Sequence, residues 1–133
     1  MLQNEVILLF LLLIPSSFLL SQSSNNLDKL SEGLKKEWLQ KEKTEVIIQF
    51  HDQKMDLSSY RSSWDKSQKG SFIFKALQEN TSISQYAVQK WLSDKGISFK
   101  SNMLVNALLV TLSKEQITYL AKRSDIAFVY DNP

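Results

Sequence analysis

The chain has no cysteine, one histidine and only three glycines among its 133 residues. The lack of cysteine excludes a disulfide scaffold, a thiolate nucleophile and a zinc–thiolate site. His51 alone cannot form a histidine-rich metal site, and three glycines are too few for a glycine-rich loop that binds phosphate. The sequence therefore predicts a protein that is not an enzyme, with no catalytic residues, no metal site and no cofactor.

An excess of charge of one sign is also lacking. Sixteen Lys and Arg side chains against fourteen Asp and Glu leave a net charge of +2, which is too weak a field to attract nucleic acid or an anionic membrane. Hydrophobic residues make up 43% of the chain and charged residues 23%, as in globular proteins. At this length we expect one domain and no nucleic-acid partner.

The N-terminus carries the longest apolar run, Val6–Ile14, which ends at Pro15. A membrane-spanning helix needs about 20 apolar residues. A secretory signal peptide needs only about 7–15, followed by small residues such as Ser21 and Ser23. We expect residues 1–23 to be a signal peptide, with a retained anchor as the alternative. The mature protein is then secreted or periplasmic, with no membrane contact once the signal peptide is removed.

Strand-like and helix-like patterns alternate along the rest of the chain. Apolar, β-branched or alternating residues predict strands at 45–50, 97–102, 107–112 and 126–130. An apolar stripe with a period of 3.6 residues predicts a helix over 67–95 that ends at Gly96. Ser113 and Gln116 form a capping box, which predicts the start of a second helix.

The order of these elements predicts the fold class. Strand, long helix, strand, strand, helix, strand is typical of the split β-α-β arrangement. We therefore expect an α+β domain, a ferredoxin-like β-α-β-β-α-β sandwich whose four-stranded antiparallel sheet carries two helices on one face. The domain is predicted at 45–133, after an N-terminal helical extension and linker at 24–44.

Two further segments have helical spacing. The first follows a candidate helix cap at Asn25-Asn26 and has the stripe Leu27, Leu30, Leu34 and Trp38. We interpret it as a loose extension of the domain. The second lies between the first strand and the long helix and has the stripe Leu57, Tyr60 and Trp64.

Other notable residues have plain structural explanations. His51 and Asp52 are adjacent on an extended chain, where neighbouring side chains point to opposite faces and cannot form a catalytic dyad. Asn80-Thr81-Ser82 is a formal glycosylation sequon, which we expect to be solvated within the long helix. The tryptophans are expected to be core or partly buried residues: Trp38, Trp64 and Trp91.

The last two strands are apolar on both of their faces. Leu108 and Val110 alternate with Leu109, while Phe128 and Tyr130 alternate with residues that are also apolar. Since helices cover one face of the predicted sheet, the apolar side chains on the other face must meet water or a partner. Two interpretations remain open: scattered exposed apolar residues without a role, and a protein-binding face.

The sequence resembles a known family along residues 45–133. The segment Val46–Phe50, followed by Asp52-Gln53 and Asp56-Leu57-Ser58, is similar to the opening of subtilisin propeptides. These form the peptidase-inhibitor domain of subtilase precursors, here in the variant that precedes bacillopeptidase F-like proteases. The similarity continues through Lys69-Gly70, Ala76-Leu77, Ser84-Gln85, Trp91-Leu92 and Gly96-Ile97. It is most specific at Val105-Asn106-Ala107 with Val110-Thr111, and it ends in Leu120–Ala127, Val129 and Asn132-Pro133.

The resemblance implies binding to a subtilisin-like serine protease, as inhibitor, folding chaperone or both. Propeptides of this family dock their uncovered sheet face on two surface helices of the protease and template its folding. They then lay their C-terminal segment along the active-site cleft. For this chain we assign Phe128 and Tyr130 to that sheet face, with Leu108 and Val110 as secondary candidates. The alternative for all four is burial in the core against the helices. The C-terminal segment is then Asp131, Asn132 and Pro133.

The sequence departs from the family at its end. The family's propeptides continue into a linker and a catalytic domain, whereas this sequence stops at Pro133. Proline also lacks the N–H that strand-like pairing in a cleft requires. We therefore expect docking through the sheet face more than inhibition through the tail. The alternatives are an exported ferredoxin-like protein-binding module and a precursor fragment, each with no inhibitory activity.

Overall fold

The structure is a computed structural model that describes residues 27–133. The predicted signal peptide and the candidate cap at Asn25-Asn26 lie outside the described residues. The described chain is α+β, with an open four-stranded antiparallel sheet and three α-helices. The strands are β1 (Lys43–Phe50), β2 (Phe99–Asn102), β3 (Ala107–Ser113) and β4 (Ile126–Asp131). The helices are α1 (Glu32–Glu37), α2 (Lys66–Asp94) and α3 (Lys114–Ala121), and a 3-10 turn at Leu27–Lys29 precedes α1.

The strand order in the sheet is β2-β3-β1-β4. β1 pairs with β3 on one side, where Ile47 lies opposite Leu109. On its other side β1 pairs with β4, where Ile47 lies opposite Tyr130. Every pairing is antiparallel. The first strand is therefore internal to the sheet, and the last strand lies beside it at an edge.

The core lies between one face of the sheet and the helices. Alternate strand residues point into it: Val46, Ile48 and Phe50 from β1, and Leu108, Val110 and Leu112 from β3. The helices contribute Leu34, Val88, Leu92, Ile117, Leu120 and Ala121 to the same core. Because side chains alternate between the two faces of a strand, the remaining strand residues lie on the opposite face.

Capping residues set the ends of the two longer helices. Asp65 and Gln68 form a capping box at the start of α2, and Ser113 and Gln116 form the predicted one at the start of α3. Gly96 follows the C-cap of α2 with φ of 68°, a left-handed conformation that glycine adopts without strain. The predicted bounds of α2 and the predicted start of α3 are therefore close to those observed.

Only part of α2 packs on the sheet. The helix has 29 residues, which at 1.5 Å per residue makes it about 44 Å long. Its buried residues begin at Asn80, so Lys66–Glu79 contains none.

Neither α2 nor any other helix within residues 27–133 is long and apolar enough to cross a membrane.

The N-terminal segment packs on the domain. Leu30 and Leu34 are buried in the main core, and the backbone N–H of Ser31 donates to the carbonyl oxygen of Val129 at 3.0 Å. α1 begins at its N-cap Ser31, whose hydroxyl accepts from the backbone N–H of Leu34. The expectation of a loose extension is therefore wrong for this segment, because Leu30 and Leu34 of its apolar stripe are buried in the core.

The predicted helical face at Leu57–Trp64 does not form. This segment adopts turns, one of them closed by the backbone N–H of Ser58, which donates to the Asp56 carboxylate at 2.9 Å. Asp and Ser side chains offer the backbone such local partners and so compete with a helix. At the end of the segment Trp64 packs against Phe72 of α2, with ring centroids 5.4 Å apart.

Candidate protein-binding face of the sheet

The sheet face opposite the core carries two rows of side chains that run across all four strands. One row is Lys100, Leu109, Ile47 and Tyr130, and the next is Asn102, Ala107, Gln49 and Phe128. We call these eight residues the open face. Residues paired across antiparallel strands lie side by side on the same face, so the register brings residues from distant parts of the chain together.

Phe128 and Tyr130 are the large exposed side chains of the open face. They are 47% and 38% exposed, and their ring centroids lie 5.9 Å apart. The Tyr130 hydroxyl donates to the side-chain oxygen of Gln49 at 3.2 Å, which orients its ring. Ile47 lies beside Tyr130, Leu109 lies on the other side of Ile47, and both are half-buried. The apolar surface therefore extends from β4 across β1 to β3, and contiguous apolar surface of this kind marks interaction sites.

The four residues predicted for the sheet face divide between the open face and the core. Phe128 and Tyr130 lie on the open face, as the resemblance implies. Leu108 and Val110 are 0% and 2% exposed and lie in the core, so their assignment to the binding face is wrong. Since the register pairs them with core residues of β1, the residue between them, Leu109, faces outward.

Sequence reasoning does not single out Ile47 and Leu109 as binding residues. Each lies in the middle of an apolar tripeptide, Val46–Ile48 or Leu108–Val110. Neighbouring side chains on a strand point to opposite faces, so the central residue of a triplet must face away from the other two. That pattern could have identified both residues once the flanking pairs were assigned to the core.

The predicted C-terminal residues are Asp131, Asn132 and Pro133. The Asp131 side chain lies on the helix side of the sheet, where its carboxylate accepts from the Ser31 hydroxyl at 2.6 Å. The backbone N–H of Asn132 donates to the carbonyl oxygen of Glu45 at 3.2 Å, and its carboxamide donates to the Glu45 carboxylate. Pro133 is exposed. Asn132 therefore continues the last strand along β1, one residue beyond Asp131.

A buried polar network ties the end of β1 to α2 and to the turn between β2 and β3. At its centre is Asn106, which is buried and has φ of 46°. Its amide nitrogen donates to the Asp52 carboxylate and the Ser84 hydroxyl, each at 3.2 Å. Its oxygen accepts from the side chain of Gln85 at 3.1 Å. Asp52 thus holds the turn between β2 and β3 in place. Ser84 and Gln85, the other partners of Asn106, belong like Asp52 to the segments that resemble the propeptide family.

The glycosylation sequon is part of the same buried region. Asn80 and Thr81 are buried, so the expectation that they are solvated is wrong. The Asn80 amide nitrogen donates to the Asp52 carboxylate at 3.3 Å, and the Thr81 hydroxyl donates to the carbonyl oxygen of Met103 at 3.4 Å.

All three tryptophans are half-buried, as expected: Trp38, Trp64 and Trp91.

Charge on the open face is sparse. Lys100 is the charged residue among the eight of the open face, and Glu45 lies on the same side of the sheet further along β1.

A close ion pair lies outside the open face, in the segment before β4, where Arg123 and Asp125 are 2.7 Å apart. The hydrogen bond between them raises the pKa of Arg123. Among residues 27–133 no group of three or more His, Asp or Glu side chains could hold a metal ion. The open face, with few charges and contiguous apolar side chains, is suited to packing against another protein surface.

No protein-family model, curated protein or solved structure was found to match this chain. The resemblance to subtilisin propeptides therefore stays a prediction, based on the residues that carry it within 45–133.

Proposed function

We propose that this chain is a secreted propeptide-like domain that binds a subtilisin-type serine protease and acts as its inhibitor, its folding chaperone or both. The observation that carries the proposal is the exposed aromatic pair Phe128 and Tyr130, in line with Ile47 and Leu109 on the open face. Propeptides of the family that the sequence resembles dock such a face on their protease. Removing contiguous apolar surface from water favours association with a partner.

The ferredoxin-like fold belongs to the same proposal. It is supported by the strand order β2-β3-β1-β4 and by the sequence of elements from β1 to β4. The contribution of α2 and α3 to one core on a single side of the sheet also supports it. In this arrangement the helices cover one face of the sheet, which leaves the open face free for a partner.

We propose docking through the open face rather than through the C-terminal residues. Asp131 is hydrogen-bonded to Ser31, and Asn132 is hydrogen-bonded to Glu45. Laying these residues along a protease cleft would break both interactions, whereas docking through the open face leaves them in place. No nucleic-acid, membrane or cofactor interaction is part of the proposal.

Inhibition kinetics test the proposal. Residues 24–133 are titrated against a subtilisin and, in parallel, against a chymotrypsin-like serine protease as the control. We expect slow, tight inhibition of the subtilisin alone. Calorimetry with an inactive subtilisin variant measures docking separately, and recovery of activity from denatured subtilisin measures the chaperone role. Degradation of the domain without inhibition, binding or assisted refolding would instead support an exported binding module or a precursor fragment.

A further inference from the structure

The connection between β1 and α2 is exposed along its length. Every residue from 51 to 63 is exposed. One end is fixed by the backbone N–H of Gln53, which donates to the side-chain oxygen of Asn80 at 2.8 Å. The other end is fixed where Trp64 packs against Phe72. The stretch Lys54–Ser63 lies between these two attachment points and contains no helix or strand.

Hydrogen bonds within this stretch are local. The backbone N–H of Ser58 donates to the Asp56 carboxylate at 2.9 Å, and that of Tyr60 donates to the carbonyl oxygen of Leu57 at 3.0 Å. Tyr60 also contacts Phe72, with ring centroids 5.9 Å apart. Exposed hydrogen bonds between near neighbours open with a small free-energy cost, so the stretch can be drawn out as an extended chain while the sheet stays intact.

The composition of the stretch suits cleavage by an endoprotease. Exposed loops with small and polar residues are preferred sites of proteolytic nicking. Four serines lie here: Ser58, Ser59, Ser62 and Ser63. Leu57 is an exposed large side chain directly before the first of them. A protease with an apolar primary pocket therefore finds an accessible side chain to bind and a small residue on the far side of the peptide bond.

The position of this stretch in the topology makes a cut destructive. Among the four strands only β1 precedes it, and β1 lies between β3 and β4 in the sheet. A cut leaves α1 and β1 on one fragment and the other three strands on the second. The larger fragment then has no partner for β4, because β4 pairs with β1. It also loses the core residues Val46, Ile48 and Phe50.

We propose that Lys54–Ser63 is a proteolytic inactivation site, at which hydrolysis of a single peptide bond unfolds the domain. The C–N bond breaks, and one water molecule supplies one oxygen of the new carboxylate and the two protons that convert the amide nitrogen to an ammonium group. The cut converts an intramolecular strand pairing into an association of two fragments. While the chain is intact, the short connection gives β1 an effective concentration in the millimolar range toward the other strands. At micromolar protein the cut therefore weakens the pairing of β1 with β3 and β4 about a thousandfold.

Site-specific cleavage tests this inference. A recognition sequence for an endoprotease with no other site in residues 24–133 is inserted between Leu57 and Ser58. The same protein before cleavage is the matched control and should keep its helical circular dichroism and cooperative melting. After complete cleavage at 1 μM protein we expect both to be lost. A cleaved protein that melts cooperatively at this concentration would overturn the inference.

Limited proteolysis tests the location. The unmodified chain is treated with a trace of a broad-specificity protease, and the first fragments are identified by intact mass. We expect complementary fragments whose ends meet within Lys54–Ser63. A first cut in the exposed turn at Leu104-Val105 would contradict the proposal. Neither readout depends on inhibition of a protease, so failure here is separable from failure of the proposed function.

Discussion

The Ser31 hydroxyl donates a 2.6 Å hydrogen bond to the carboxylate of Asp131, 100 positions later in the chain. The same hydroxyl oxygen accepts from the backbone N–H of Asp131 at 3.2 Å and from that of Leu34 at 3.2 Å. One side chain therefore caps α1 and fastens it to the last strand. Together with the bond from the Ser31 backbone to Val129, it covers part of the outer edge of β4, where unpaired backbone groups would otherwise invite association.

The close approach of α1 to Asp131 predicts opposite effects for two glycine substitutions. A Cβ atom on Gly33 would lie 2.3 Å from Asp131 Oδ2, so Gly33→Ala must displace the carboxylate from Ser31. We expect it to lower the free energy of unfolding by about 1 kcal/mol, since a lost hydrogen bond to a charged group outweighs the gain in helix propensity.

Gly70→Ala is the matched control because nothing lies within 4 Å of its added Cβ. It should raise the free energy of unfolding by about 0.5–1 kcal/mol, the usual gain for alanine over glycine in a helix. Urea unfolding of both variants checks the pair. Equal shifts in the same direction would show that Asp131 does not constrain Gly33.

Burial of Leu34 predicts that the N-terminal segment is required for full stability. Leu34→Ala should lower the free energy of unfolding by about 2–5 kcal/mol, because Leu34 is fully buried and its truncation opens a cavity in the core. Leu39→Ala is the control: Leu39 is 87% exposed, and its change should be within about 0.5 kcal/mol. If both variants unfold at the wild-type urea concentration, Leu34 does not belong to the core in solution.

The elements of the domain were predictable because their signals are local. The period of apolar residues marked α2 and the strands, and the Ser113–Gln116 capping box marked α3. The docking of α1 was not predictable in the same way. Its apolar stripe is visible from Leu27 to Trp38, but nothing local shows that Leu30 forms a bridge with Val129.

The candidate site was predictable on β4, where both aromatic side chains fall on the same face of the strand. Phe128 and Tyr130 share one parity, and the structure leaves both exposed. β3 gave no such signal, because Leu108, Leu109 and Val110 are equally apolar. Which of them faces outward depends on pairing with β1, a tertiary interaction that strand periodicity does not encode. The error at Leu108 and Val110 follows from that symmetry.

The network around Asn106 predicts that this residue is more important than its turn position suggests. Asn106→Ala removes one hydrogen-bond partner each from Asp52, Ser84 and Gln85 and places a Cβ-bearing residue without a turn-stabilising amide at φ of 46°. We expect a loss of about 3 kcal/mol in the free energy of unfolding, the sum of three lost hydrogen bonds and left-handed strain.

Asn106→Gly separates these two causes. Glycine adopts the left-handed conformation without strain but restores no hydrogen bond, so this variant should lose about 1 kcal/mol less than Asn106→Ala. Chemical denaturation of both variants measures the difference. A glycine variant as stable as the wild type would show that the hydrogen bonds of Asn106 contribute nothing net.

The open face predicts a variant that loses binding but keeps its fold. Phe128→Asp combined with Tyr130→Asp places two carboxylates where an apolar partner surface must pack. Truncating central aromatic contacts commonly costs 2 kcal/mol or more each, so affinity for a subtilisin should fall at least about a hundredfold. Because both side chains are exposed and outside the core, helical circular dichroism and the melting transition should change little.

The matched control carries the same chemistry on the opposite side of the domain. Ile83 and Tyr86 are exposed on α2, and Ile83→Asp with Tyr86→Asp should leave subtilisin affinity unchanged. Calorimetric titration of both double variants compares them directly. Equal loss of affinity in the two would indicate a non-specific effect of added negative charge. Unfolding of the Phe128 and Tyr130 variant would show that these residues support the core, and the open face would then not be a free surface.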